Sequence, residues 1–462
     1  MRRRVKESLF KPEGFATGGK NRKLVRESRT QVDVRRGVST QIDALGNKTQ
    51  SIADIFGRTV ATIDAVGNRT EMVYNRISEL LEQRDPMGRV TRFVYDNLGR
   101  RVETILPAPK PGEKNPVQRV VYDALGRIAK QIDPLGNTAS MEYDAFGRVA
   151  RQINAEGGVT AFTYTNAGQL KSLTDPIGNT TSYEYDDQNR PIKETNELGK
   201  SRFFEYLAGK MMAKKTDRNG RVTTFDHDDY GRVTAEKWYE TDKVVKTLAF
   251  EYNALGHLKK VDDGVTVFDY SRDEDGRELS ATMALPGLVD PIVQQTEYDV
   301  LGRRTQIATA FGGQVEFSDL YTYTKIGQVE SISQDGKQVN YHYDAAGMRI
   351  AAMTPVVDTL YSYDGMGRLT QIKHGDIAQY DYAWDAANRI TSMNDAQYGY
   401  DATSQLISAV YDKLPSEAYD YDANGNRKAY ETGKNNQLLT DGVFDYTYDD
   451  EGNQLKSGQR IR

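Results

Sequence analysis

Cysteine is absent from this 462-residue chain, which excludes disulfides and thiolate metal centres and leaves the redox compartment open. Histidine is scarce. His227, His257, His342 and His374 are the only four and they are scattered, so they read as surface or strand histidines and no metal site is expected. No stretch approaches the ~18 apolar residues of a membrane-spanning helix, and the opening MRRRVKESLFKPEGF is basic without the apolar run of a Sec signal. A large charge of one sign is lacking too. At a net -5 the chain is not built to hold nucleic acid. Phosphate-cradling loops, a nucleophile elbow and His-Glu-x-x-His are all missing. The expectation is a chain with no cofactor and no catalytic residues, and so not an enzyme.

What the chain does have is tyrosine (29 residues) and glycine (40), set in a sequence only 38% hydrophobic. Such a mix is too polar for one deep core and too aromatic for disorder. It suits a sheet with water near both faces. The residues repeat themselves. Tyr-Asp-x-x-Gly-Arg recurs as Tyr95, Asp96, Gly99 and Arg100, as Tyr122, Asp123, Gly126 and Arg127, and as Tyr143, Asp144, Gly147 and Arg148. Later copies hold Tyr298, Asp299, Gly302 and Arg303, then Tyr363, Asp364, Gly367 and Arg368. From Tyr122 through Tyr143, Tyr164, Tyr185 and Tyr206 each step is 21 residues, and half-repeats such as IDPLGN at Ile132 fall between. The structural period is therefore alternately ten and eleven residues: one strand and one turn.

Asp-x-x-Gly suits a type I turn, in which Asp caps its own turn and Gly takes the left-handed closing position. A three-residue loop with a glycine bulge sets Asp123 opposite Arg127 and Tyr122 opposite Ile128. The half-repeats are one residue out of phase, which predicts that at least one turn class differs. Ahead of the turns the aromatics alternate with polar residues, as in Tyr183-Glu184-Tyr185 and Tyr446-Thr447-Tyr448, the mark of half-buried strands. Stacked hairpins are expected to set the tyrosines in a ladder, each ring covering the next.

YDALGR, YDAFGR, YDVLGR and YDGMGR, interleaved with DPLGN and DPIGN, resemble the YD repeats of the RHS (rearrangement hotspot) family, over roughly residues 41–455. The resemblance implies a repetitive antiparallel β-hairpin ribbon that spirals into a hollow shell or barrel, complete or incomplete. It is the architecture of bacterial polymorphic toxins, insecticidal toxin-complex components and teneurins. The family's core region, with its self-cleaving Asp site, is not seen. Asp-Pro-x-Gly at Asp85, Asp133 and Asp175 belongs to ordinary repeat turns, so no protease role is carried onto it. The chain thus resembles a shell or shell segment that encloses, or helps enclose, a toxin or other polypeptide cargo, with a second chain to complete it. The family further implies a secreted or cell-surface location. The alternative is an extracellular recognition module that binds glycan or protein through Tyr-rich faces and loops.

Two regions depart from the pattern. Residues 1–37 hold twelve Lys and Arg against four acids, a local +8. They are expected as a basic, partly irregular N-terminal arm over 1–40, ahead of a repeat shell over 41–462. Proline-containing insertions near 101–121 and 281–295 read as surface loops. Acids precede the tyrosine in many copies (Glu142, Glu184, Glu205 and Asp226 among them). Because they recur with the repeat, they read as structural and not as a catalytic pair.

Overall fold

The computed structural model describes residues 3–5, 28–209 and 211–459. Among them, apart from one 3-10 turn at Lys434–Asn436, all regular structure is β-strand. In run after run a strand pairs antiparallel with the one before it and the one after it. The chain is the expected all-β ribbon of hairpins.

The 21-residue period resolves into a six-residue strand, a five-residue strand and the two turns that join them. Thr138–Tyr143 is followed by the turn at 144–148, then by Val149–Ile153 and the turn at 154–158. Both turns are built alike, contrary to the difference expected from the phase of the half-repeats. At Asp144 the Gly147 amide donates to the Asp144 carbonyl at 3.0 Å and the Asp144 amide donates to the Arg148 carbonyl at 2.9 Å. At the half-repeat the bonds from Gly136 to Asp133 and from Asp133 to Asn137 are both 3.0 Å. The odd residue goes into the strand. Tyr143 pairs with Val149 but Glu142 pairs with Arg151, a bulge on the strand after the Tyr turn, whereas Ile153–Val159 and Arg151–Ala161 run without a shift. A bulge absorbs one residue at the cost of a local kink, so one turn design serves both phases.

Hydrophobic burial is thin. The buried apolar side chains among the described residues are Pro116 and five alanines (Ala61, Ala308, Ala351, Ala396 and Ala409), and no large side chain is fully buried. Aromatic and aliphatic residues sit half-buried on the pleated surface, as in Thr180–Tyr185, where Tyr183 and Tyr185 are half-covered and Glu184 is exposed. A sheet so little buried must draw cohesion from polar contacts between repeats.

By residue contacts the chain divides into two compact units. One holds 1–119, 278–280 and 292–388; the other holds 120–277, 281–291 and 389–462. Within the basic arm expected over 1–40, residues 1–2 and 6–27 lie outside the described residues. Arg29–Asp33 already pairs in register with Val38–Ile42, so strand pairing is present ahead of residue 41. The two insertions are loops between strands: 106–116 joins Arg101–Ile105 to Val117–Tyr122, and 285–291 joins Glu278–Ala284 to Ile292–Tyr298.

Candidate functional site

The repeated motif folds into one polar device. In the turn at 144–148 the Asp144 carboxylate accepts the amides of Phe146 and Arg148 at 2.9 and 3.0 Å through one oxygen. Its other oxygen accepts Arg148 Nε at 2.7 Å and lies 2.6 Å from Nη2. Gly147 takes φ +82°, a left-handed conformation that costs glycine little. The bond from Arg148 holds the Asp144 carboxyl below its ordinary value. A forked guanidinium fixed on a carboxylate is a planar plate. Arg148 lies 4.4 Å from the centre of the Tyr164 ring, one repeat on. The Tyr164 hydroxyl then donates at 2.7 Å to the Val149 carbonyl, where the ladder to the next strand has not yet begun.

The same device recurs where the sequence marks it. Asp123–Arg127 closes at 2.7 Å and Arg127 covers Tyr143 at 4.3 Å, while the Tyr143 hydroxyl donates to the Ile128 carbonyl at 2.7 Å. Arg100 bonds Asp96 at 2.8 Å, and Tyr95 reaches the Leu80 carbonyl at 2.9 Å. Arg303 bonds Asp299, and Arg368 bonds Asp364, each at 2.7 Å. Tyr298 reaches the Glu278 carbonyl at 2.9 Å, and Tyr363 reaches that of Arg349 at 2.7 Å. Gly99, Gly126, Gly302 and Gly367 take φ between +76° and +81°. Tyr122 opens its turn in the same place, at the end of Val117–Tyr122. Where Trp384 replaces tyrosine, its indole N–H donates to Leu369 at 2.7 Å, so the bond survives the change of ring.

Where the structure shows what covers a tyrosine face among the described residues, the partner is a guanidinium and not the next ring of the ladder expected. An arginine stands on the ring at Tyr143, Tyr164, Tyr206, Tyr252 and Tyr323. The guanidinium is already in place because the turn Asp holds it, and a cation over a π face is favourable. The acids that precede the tyrosines are partnered across the strands: Glu142 with Arg151, Glu184 with Lys193, Glu205 with Lys214 and Asp226 with Lys237, at 2.6–2.9 Å. His227 stands at a tyrosine position and its Nδ1 is buried without a hydrogen bond.

Contacts far apart in sequence escaped the motif reading. In the second unit Glu451, at the tip of the turn 449–453, is bound by Arg202, with Nε at 2.9 Å, and by Arg218, with Nη1 at 3.3 Å; Arg218 also bonds Glu194. The Arg202 bond lowers the Glu451 carboxyl to about 2. Nearby Asn424 and Asn436 donate to Asp175 at 2.5 and 3.1 Å. In the first unit the Gly365 amide donates to the Pro109 carbonyl at 2.7 Å, and a Cβ there would stand 2.1 Å from the Ala108 oxygen. The first unit also holds an open cleft of about 680 Å³ lined by Thr322, Ser331, Asn340 and Met353, with Val66 and Asn68. A partial sign was present for Glu451: it places a charge at a turn tip, as Glu156 and Asp275 also do, where Leu125, Phe146 and Ala346 are apolar.

A ribbon of hairpins locked through Tyr, Asp, Gly and Arg defines a repeat protein whose site is the repeat itself. The family model described as RHS Repeat matches residues 74–109, 122–159 and 164–201, so these stretches of the chain carry RHS, or YD, repeats. A curated relative, the probable deoxyribonuclease RhsB of Dickeya dadantii (strain 3937), is 29% identical over 187 residues, covering 35% of this chain and 13% of that protein. The fold matches a structure of the Photorhabdus luminescens Tc holotoxin pore with a TM-score of 0.52 and 15% identity, over 87% of this chain and 26% of the other. It also matches a crystal structure of TcdB2-TccC3-TEV with a TM-score of 0.54 and 15% identity, over 87% of this chain and 28% of that one. The chain thus spans 13% of the curated relative's length and 26–28% of these structural neighbours.

Proposed function

We propose that this chain is a wall: a segment of RHS shell that encloses, or helps enclose, a polypeptide cargo, with a second chain completing the enclosure. The observation that carries this reading is the fold likeness to the toxin-complex structures over 87% of the chain. The chemistry of the repeat supports it. Turn aspartates and arginines are spent on each other and on the ring of the next repeat, and the acids before the tyrosines on cross-strand cations. Charges paired in this way are not free to grip a passenger, and a container should hold its contents loosely. In this reading the chain works outside the cell that makes it, exported by family analogy, and does no catalysis of its own. The basic arm of 1–40 and the repeats of 41–462 act as two parts of one ribbon, the arm's Arg29–Asp33 pairing with Val38–Ile42.

Protection of a passenger tests this. The full chain is produced with an unfolded reporter polypeptide joined to its C-terminus and treated with a non-specific protease. Slower digestion of the reporter than of the same reporter alone is expected. Equal rates, with the repeat region intact, would overturn the enclosure reading.

A further inference from the structure

Within the first unit the two edges of the ribbon are treated differently. The Tyr-Asp turns of its later strands are covered. Asp344 and Ala345 line a cleft together with Val66 and Asn68 of the half-repeat turn at 64–68. Gly365 bonds Pro109, and Gly367 packs so closely on Arg89 of the turn at 85–89 that a Cβ would stand 2.7 Å from Nη1. The tips Ala346 and Met366 are half-buried there. Tyr-Asp turns of the later strands thus sit on the opposite-edge turns of the earlier ones.

The earlier strands' own Tyr-Asp edge carries the same kind of tip with nothing over it. Phe56, Ile77 and Leu98 hold the third turn position of three successive copies and are 71%, 75% and 76% exposed. They recur every second strand, about 9–10 Å apart, as a row of large apolar side chains beyond the ends of the strands. Water-exposed apolar rows of this kind mark interaction sites. The later strands, for their part, leave their other edge bare, with Val356 at 91% and Ile377 at 79% exposure on two adjacent hairpin tips. One chain therefore carries both halves of a contact that it already makes internally.

The geometry points to head-to-tail self-association: the Phe56–Ile77–Leu98 edge of one copy receives the Val356–Ile377 edge of a second copy, repeating the turn-on-turn seam found within the unit. The two surfaces differ, so the contact is heterologous and each bound copy presents a fresh edge to the next. This goes beyond the wall function and does not depend on any cargo.

Sedimentation velocity with edge-blocked variants tests it. The wild-type chain, raised to on the order of 100 μM, is expected to exceed the 52.0 kDa of a single copy. F56S/I77S/L98S and V356S/I377S should each stay single. Mixed in equal amounts, they should form a species of twice the monomer mass and nothing larger, because each retains one open edge. A wild-type chain that stays single, a mixture that stays single, or growth of either variant alone beyond one copy overturns the proposal. Hydrogen exchange gives a mutation-free reading: amides at 54–58, 75–79 and 96–100 should slow as the wild-type chain is concentrated, and unchanged exchange there overturns it as well.

Discussion

Tyr164→Phe isolates the hydroxyl from the ring. Phenylalanine keeps the half-buried face, and it keeps the guanidinium of Arg148 at 4.4 Å, itself held by Asp144. What goes is one O–H donor, 2.7 Å from the Val149 carbonyl. That carbonyl lies beside the bulge, where the ladder to the next strand starts only at Arg151, so no neighbouring strand replaces the donor. An intramolecular hydrogen bond is worth about 0.5–1.5 kcal/mol net, and an acceptor left without a partner costs more as its burial deepens. For a half-buried site about 1 kcal/mol is expected, roughly a fivefold rise in local opening. Hydrogen exchange of peptides spanning 149–164 is the assay, since a local loss in a repeat array does not spread evenly to the whole chain. Tyr164→Ala, which also removes the ring and the surface on which Arg148 rests, should open the same peptides by 2–3 kcal/mol or so more. If Tyr164→Phe exchanges like wild type while Tyr164→Ala opens, tyrosine serves the repeat only as a ring, and the hydroxyl-to-carbonyl lock is refuted.

Glu451→Gln should loosen the second unit by about 2 kcal/mol, less than for a fully buried pair, because Arg202 is partly exposed and Glu194 still faces Arg218; thermal unfolding with exchange at 194–218 reads it. The pH dependence has a definite sign. Glu451 lies at about 2 in the fold, below its ordinary 4.5, so its stabilisation is whole above pH 4.5 and is lost as pH falls from there toward 2. Acid titration followed by circular dichroism should show this loss in the wild-type chain and a smaller one in Glu451→Gln. Gly147→Ala, at φ +82°, should cost about 1 kcal/mol or more through the strained turn, seen as faster exchange at 143–149 with the rest of the ribbon unchanged.

Much of the ribbon could be read from spacing alone. Asp-x-x-Gly at a fixed interval marks the turn, and alternation such as Tyr183-Glu184-Tyr185 marks the strand, because both signals are local and period two has one structural meaning. The Asp144–Arg148 pair could be worked out from turn geometry. Two things could not. A residue out of phase can go into a turn or into a strand, and nothing local says which; the bulge opposite Tyr143 took it up. The partner of a tyrosine ring depends on the neighbouring hairpin, so Arg148 over Tyr164 was invisible to a reading that paired residues only within one hairpin. Contacts such as Arg202 with Glu451 lie beyond any such reading, being set by how the ribbon folds back within its unit.

The bond from Tyr164 to Val149 reaches back only 15 residues, and the turn that positions Arg148 lies within the same repeat. Every copy is thereby fastened to its predecessor and to nothing farther off through this device. Such a ribbon can lengthen by in-frame duplication of one 21-residue module, the new copy fitting both neighbours as the old one did. A longer hairpin is accommodated as well: across 25-residue steps Arg232 still covers Tyr252 and Arg303 still covers Tyr323. The ribbon can therefore evolve its size in whole courses, like brickwork, without renegotiating the mortar.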